Sequence, residues 1–133
     1  MPQKTNKIII LDDDLNMLNS LKRKFIIEKC NYDVMTFTSA KQAIQELSNE
    51  DCFAFITDIM MPDITGDYVI AHIKKTNPQQ PCIVITGLAT REKISRIVKS
   101  GNTVDIISKP INFSRLLKAL NKIEVYKENG SAH

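Results

Sequence analysis

Four short apolar runs in this 133-residue chain each end on a residue able to do chemistry. Lys7 to Leu11 closes on Asp12-Asp13-Asp14, Phe53 to Thr57 on Asp58, Cys82 to Thr86 on the hydroxyl of Thr86 itself, and Val104 to Ser108 on Lys109-Pro110. Carboxylates brought together repel and raise one another's pKa unless a cation offsets them. Oxygen-only donors suit Mg²⁺, which takes one or two carboxylates plus phosphate oxygens. A hydroxyl donor and a lysine point charge fit phosphoryl oxygens. The sum is a carboxylate nucleophile, a metal, a donor and a cation around one transferring phosphoryl group. Taken singly, each residue has a plainer role: Asp14 as helix cap, Asp58 as turn former, Thr86 as β-former, Lys109 as surface charge. Their placement on a common edge is what separates the readings.

The elements that must supply that edge are legible as periodicity. β-branched apolar runs bounded by turn residues read as strands covered on both faces. The chain yields five: Lys7 to Leu11, Tyr32 to Phe37, Phe53 to Thr57, Cys82 to Thr86 and Val104 to Ser108. Helical spacing appears between them. Leu15, Leu18, Leu21, Phe25 and Ile26 follow the Asp14 cap, with Lys22, Arg23 and Lys24 turned outward. Ser39 caps a helix through Ala43, Ile44 and Leu47, and Val69, Ile70 and Ile73 mark a third that stops before Pro78. A fourth opens at Thr90, carries Ile94, Ile97 and Val98, and is closed by Gly101. The last runs from about Asn112 to Tyr126 with Phe113, Leu116, Leu117, Leu120 and Ile123 inward.

Strand and helix alternate five times, the pattern of a parallel sheet with helices on both faces. The fold expected is a single doubly wound five-stranded α/β sheet, order 2-1-3-4-5, flavodoxin-like. That order sets the ends of the first and third strands side by side, so that Asp12, Asp13 and Asp58 converge. Residues 1–6 are expected as a disordered N-terminus, 7–126 as the domain, and 127–133 as a frayed tail or the start of a linker.

Composition sets bounds on the rest. The chain is 43% hydrophobic and 25% charged, an ordinary globular mix. A net charge of +3 with scattered basic residues gives no footprint for nucleic acid. No apolar run is long enough to span a bilayer, and the N-terminus is not a signal peptide. Cys30, Cys52 and Cys82 lack any metal-ligand spacing and read as reduced packing residues of a cytoplasmic protein.

These pieces resemble the receiver (phospho-acceptor) domain of two-component response regulators. The resemblance rests on Ile8 to Asp14, on Asp58 with Met61-Pro62 and Gly66, on Ile83 to Gly87, and on Lys109-Pro110. It implies that Asp58 accepts a phosphoryl group from the phosphohistidine of a sensor histidine kinase or phosphotransfer protein. It implies that Asp13 binds Mg²⁺ directly, that Asp12 holds a metal-bound water or a second ligand position, and that the Met60 backbone carbonyl is a further ligand beside Asp58. Thr86 would move to the phosphoryl group, Lys109 would pair with it, and the Lys109-Pro110 bond would be cis. The helix carrying Lys22, Arg23 and Lys24 would face the kinase. Phosphorylation would change the surface of the fourth helix, fifth strand and last helix, to control an output domain or effector protein or to form a homodimer. Such a domain is no enzyme beyond its own phosphoryl transfer and slow autodephosphorylation. Where the family carries an aromatic switch residue, this chain has Ile106. An aliphatic residue cannot swing an amphipathic ring, so the signal would leave by another route, such as the helix from Arg91 to Ser100. Met60 and Leu88, two residues past Asp58 and Thr86, would hinder an attacking water.

Two other readings fit less well. A haloacid-dehalogenase-type phosphohydrolase would use Asp12 and Asp14, but needs a late acidic pair that is missing after Lys109. A flavodoxin-like flavin binder would place phosphate against Asp12-Asp13-Asp14, which would repel it.

Overall fold

The computed structural model describes residues 6–47, 51–61, 66–87 and 102–130. Five parallel strands form one sheet: β1 Lys7–Leu11, β2 Asp33–Phe37, β3 Ala54–Asp58, β4 Cys82–Thr86 and β5 Thr103–Ser108. Their order is β2-β1-β3-β4-β5, as expected. Four helices are described: α1 Leu15–Ile27, α2 Ala40–Leu47, α3 Gly66–Thr76 and α4 Phe113–Gly130. The helix expected through Ile94, Ile97 and Val98, its Thr90 and Gly101 ends, and the Pro62 loop lie outside the described residues.

Strand alternation divides the core into two layers. Ile8 and Ile10 of β1, Ala54 and Ile56 of β3, and Ile83 and Ile85 of β4 meet Leu18, Leu21 and Phe25 of α1 and Leu116, Leu120 and Ile123 of α4. The opposite rows, Ile9, Leu11, Phe55, Cys82 and Val84, meet Ala43 and Leu47 of α2 and Val69, Ile70 and Ile73 of α3. This two-sided burial explains why the central strands read as continuous apolar runs.

Several boundaries differ from the expectation. β3 begins at Ala54 and includes Asp58, so the acid is the last strand residue, paired opposite Ile85. β2 begins at Asp33, one residue late, because Asp33 pairs with Lys7, the first residue of β1, while the Tyr32 hydroxyl donates to Glu124. Leu15 and Ile26 are not inward: they are 57% and 69% exposed, because the buried stripe of α1 holds only Leu18, Leu21 and Phe25. Asn6, assigned to the N-terminal tail, already accepts the Asp33 amide through its carbonyl. The tail assigned to 127–133 is also helical through Gly130. There Lys127 lies 4.5 Å from the centre of the Phe53 ring and donates to the Phe53 carbonyl, which secures that turn.

Candidate functional site: the acidic edge and Lys109

Each side chain of the site is delivered by a strand end. β1 terminates at Leu11 because Asp14 caps α1, its carboxylate accepting the Met17 amide at 3.1 Å. Between strand and cap, Asp12 folds inward and accepts the Asp14 amide on Oδ1 at 2.8 Å. Asp13 is exposed at the mouth of the same edge. Asp58 stays in the row of Ala54 and Ile56, on the α1 side of the sheet. Its Oδ1 accepts the Met60 amide at 2.9 Å, which turns the chain away from the strand.

Lys109 reaches the same place from β5. Its backbone amide donates to the Thr86 carbonyl at 2.8 Å, and the following peptide bond to Pro110 is cis. Its ammonium donates to Asp58 Oδ2 at 2.8 Å and lies 3.0 Å from Asp12 Oδ2. The second contact is ionic only: Asp12 Oδ2 is buried and accepts no hydrogen bond. Burial raises the Asp12 pKa, with a further push from Asp58 that Lys109 and the Asp14 amide only partly offset. Burial alone would lower the Lys109 pKa, but the hydrogen bond to Asp58 and the charge of both carboxylates outweigh this and raise it.

Carboxylate oxygens of Asp12, Asp13 and Asp58 come within 4.8 Å of one another. An all-oxygen set that includes a buried carboxylate oxygen without a hydrogen bond fits a hard divalent cation such as Mg²⁺. Gly87, just after Thr86, lies beside the Lys109 stem: a Cβ there would make ordinary contact with Lys109 Cδ at 3.8 Å.

Thr86 and Ile106 belong to the other row of the sheet from Asp58. Thr86 is buried at the end of β4, opposite Ser108, and by alternation shares the row of Cys82 and Val84. Ile106 pairs opposite Val84 and packs, half-buried, against the α2/α3 layer. Met60 is 46% exposed beside the site, and Leu88 lies outside the described residues. His72 stacks on Tyr68 along α3. Cys52 and Cys82 are buried, with burial pushing the thiols up to about 11 and about 12.

A model of the response regulator receiver domain matches residues 8–121 of this sequence. The chain belongs to the receiver domain family. It is 30% identical to the chemotaxis protein CheY of Thermotoga maritima over 88% of its own length and 96% of that protein. It is 29% identical to the response regulator TodT of Pseudomonas putida over 90% of its length. It spans about half of TodT, 52%. A crystal structure of a CheY-like receiver domain from Methanospirillum hungatei superposes with a TM-score of 0.84 at 27% identity, covering 95% of this chain and 99% of that one. Receiver domains are phospho-acceptor modules of two-component signalling that bind Mg²⁺ at an acidic pocket and interact with histidine kinases and output domains.

One ion-pair cluster between β5 and α4 of this chain does not show in hydrophobic periodicity. Asp105 of β5 accepts Arg115 Nη1 and Nη2 at 2.6 and 2.7 Å and Lys122 Nζ at 2.9 Å. The guanidinium bonds, helped by Lys122, hold its carboxyl well below the usual carboxylate range. An acid inside an apolar strand followed by basic residues on the next helix was the available signal.

Proposed function

We propose that this receiver domain is a phosphorylation-controlled switch whose acceptor is Asp58. The observation that carries the reading is the meeting of Asp58, Asp12 and the Lys109 ammonium at the ends of β3, β1 and β5. The Asp58 carboxylate attacks the phosphorus of a phosphohistidine. An O–P bond forms, the P–N bond breaks, and the imidazole leaves with the electron pair and takes a proton. Asp12, Asp13, Asp58 and the Met60 carbonyl would hold Mg²⁺, which supplies charge neutralisation on the phosphoryl oxygens. Lys109, already on Asp58 Oδ2, keeps a positive charge where an oxygen of the aspartyl phosphate will stand. Thr86 then moves to donate its hydroxyl to the phosphoryl group. That movement biases a two-state equilibrium at the surface of β5 and α4.

The donor would be a sensor histidine kinase or phosphotransfer protein. The reader would be an output domain, an effector protein or a second copy of the domain. Such a switch turns over no substrate beyond its own acyl phosphate.

Intact mass after incubation with Mg²⁺ and a small acyl-phosphate donor tests the acceptor. One added phosphoryl group is expected on the native chain, and none without Mg²⁺ or on Asp58→Ala. Retention of the addition in Asp58→Ala would move the acceptor elsewhere. If the native chain takes no phosphoryl group and a beryllofluoride mimic leaves its spectrum unchanged, the switch reading fails, and the domain is a constitutive binding module.

A further inference from the structure

β5 is one of the two edge strands of the sheet, so its backbone is laddered on one side only, to β4. That ladder is broken at its start. Cys82 pairs with Thr103 but Ile83 pairs with Asp105, leaving Val104 as an extra residue in a bulge. The segment that follows must nevertheless set the Lys109 ammonium between two carboxylates, on a flexible four-carbon stem. Asp105 stands directly after the bulge. Its carboxylate accepts both prongs of Arg115 and the Ile106 amide at 2.9 Å, and Arg115 Nη2 also reaches the Ile106 carbonyl at 3.4 Å. At the other end Arg115 is fixed by its own amide, which donates to the Asn112 side chain at 3.1 Å. Residues 106–114, with Lys109 among them, are thus closed into a loop by one bidentate ion pair. The Asp105 side chain is 11% exposed and the Arg115 side chain 38%, so what sets the pair apart from an ordinary surface bridge is its bidentate geometry on a largely buried carboxylate.

We infer that Arg115, through Asp105, is a positioning residue for Lys109: the pair holds the end of the edge strand so that the ammonium stays on Asp58 and Asp12. The structural inference stands on the ion pair alone. Its consequence for phosphoryl transfer rests on the proposed role of Lys109. Lys122 supplies the control, because it bonds the same carboxylate at 2.9 Å from farther along α4, outside the loop.

The test reads the Lys109 side-chain ammonium by ¹H–¹⁵N NMR in metal-free protein, with Lys109→Ala identifying the signal. A slowly exchanging ammonium signal is expected in the native chain and in Lys122→Ala. It should broaden or vanish in Arg115→Ala and in Asp105→Asn, the near-isosteric variant that guards against misfolding of the first. A native Lys109 signal in both clamp variants would overturn the inference. So would an equal loss in Lys122→Ala, since general loosening of α4 would then account for it. In the acyl-phosphate assay, Arg115→Ala should slow phosphoryl uptake about threefold in the native background and leave Lys109→Ala unchanged, the signature of coupled residues. An equal slowing in both backgrounds overturns the inference as well. If the native chain takes up no phosphoryl group, the proposed function fails while the NMR result still decides the clamp.

Discussion

Two neighbouring aspartates show how environment assigns roles to identical side chains. Asp13 is exposed, whereas Asp12 is wholly buried with its pKa raised by that burial. A carboxyl whose folded pKa lies above its unfolded value costs stability when ionised. The cost is absent below the unfolded pKa, grows as pH rises from the unfolded toward the folded pKa, and is complete above the folded one. Asp12→Asn is therefore expected to stabilise the metal-free protein at pH 7 by about 1 kcal/mol. The gain should shrink toward acid and be accompanied by weaker Mg²⁺ binding. Denaturant melts at pH 4 and pH 7 check the sign. Met60 supplies a second case. Its exposed apolar side chain flanks the acceptor, where it would obstruct an in-line water. Met60→Asn and Leu88→Asn are expected to shorten the life of the phosphorylated form severalfold, read as decay of the added mass. An unchanged half-life in both would remove that role.

Among the elements, α1 is set by its first residue boundary. Asp14 caps the helix through the Met17 amide, and the same turn presents the Asp14 amide to Asp12. Removing the cap by Asp14→Ala is expected to cost about 1 kcal/mol. It should perturb phosphoryl uptake far less than Asp58→Ala, because the amide on Asp12 survives. Urea unfolding beside the mass assay separates the two effects. β5 is the contrasting element. Its bulge at Val104 sends Asp105 toward α4 and Ile106 toward the α2/α3 layer, and the ion pair with Arg115 offsets what the single-sided ladder lacks.

For the whole molecule, the site depends on two core layers packed on opposite faces of the sheet. Leu120 of α4 is fully buried against the layer that also holds Ile56, Ile85 and Ile107. Leu120→Ala is expected to cost about 2–5 kcal/mol by the cavity it leaves. A thermal melt losing less than a few degrees would show that the α4 layer contributes little. The sequence by itself determined the five strands, their order, the convergence of Asp12, Asp13 and Asp58, and the arrival of Lys109 at the same edge. Those follow from hydrophobic period and crossover handedness, which are local or combinatorial properties of the chain. Only the tertiary structure decided that Leu15 and Ile26 face solvent, that the last helix runs to Gly130, and that the Thr86 row lies opposite Asp58. It alone also joined Asp105 to Arg115 and shifted the register of β5. The physical reason is common to these. Periodicity records that a residue can be buried. Which neighbour buries it, and how an edge strand slips by one residue, are settled by contacts between segments far apart in the chain.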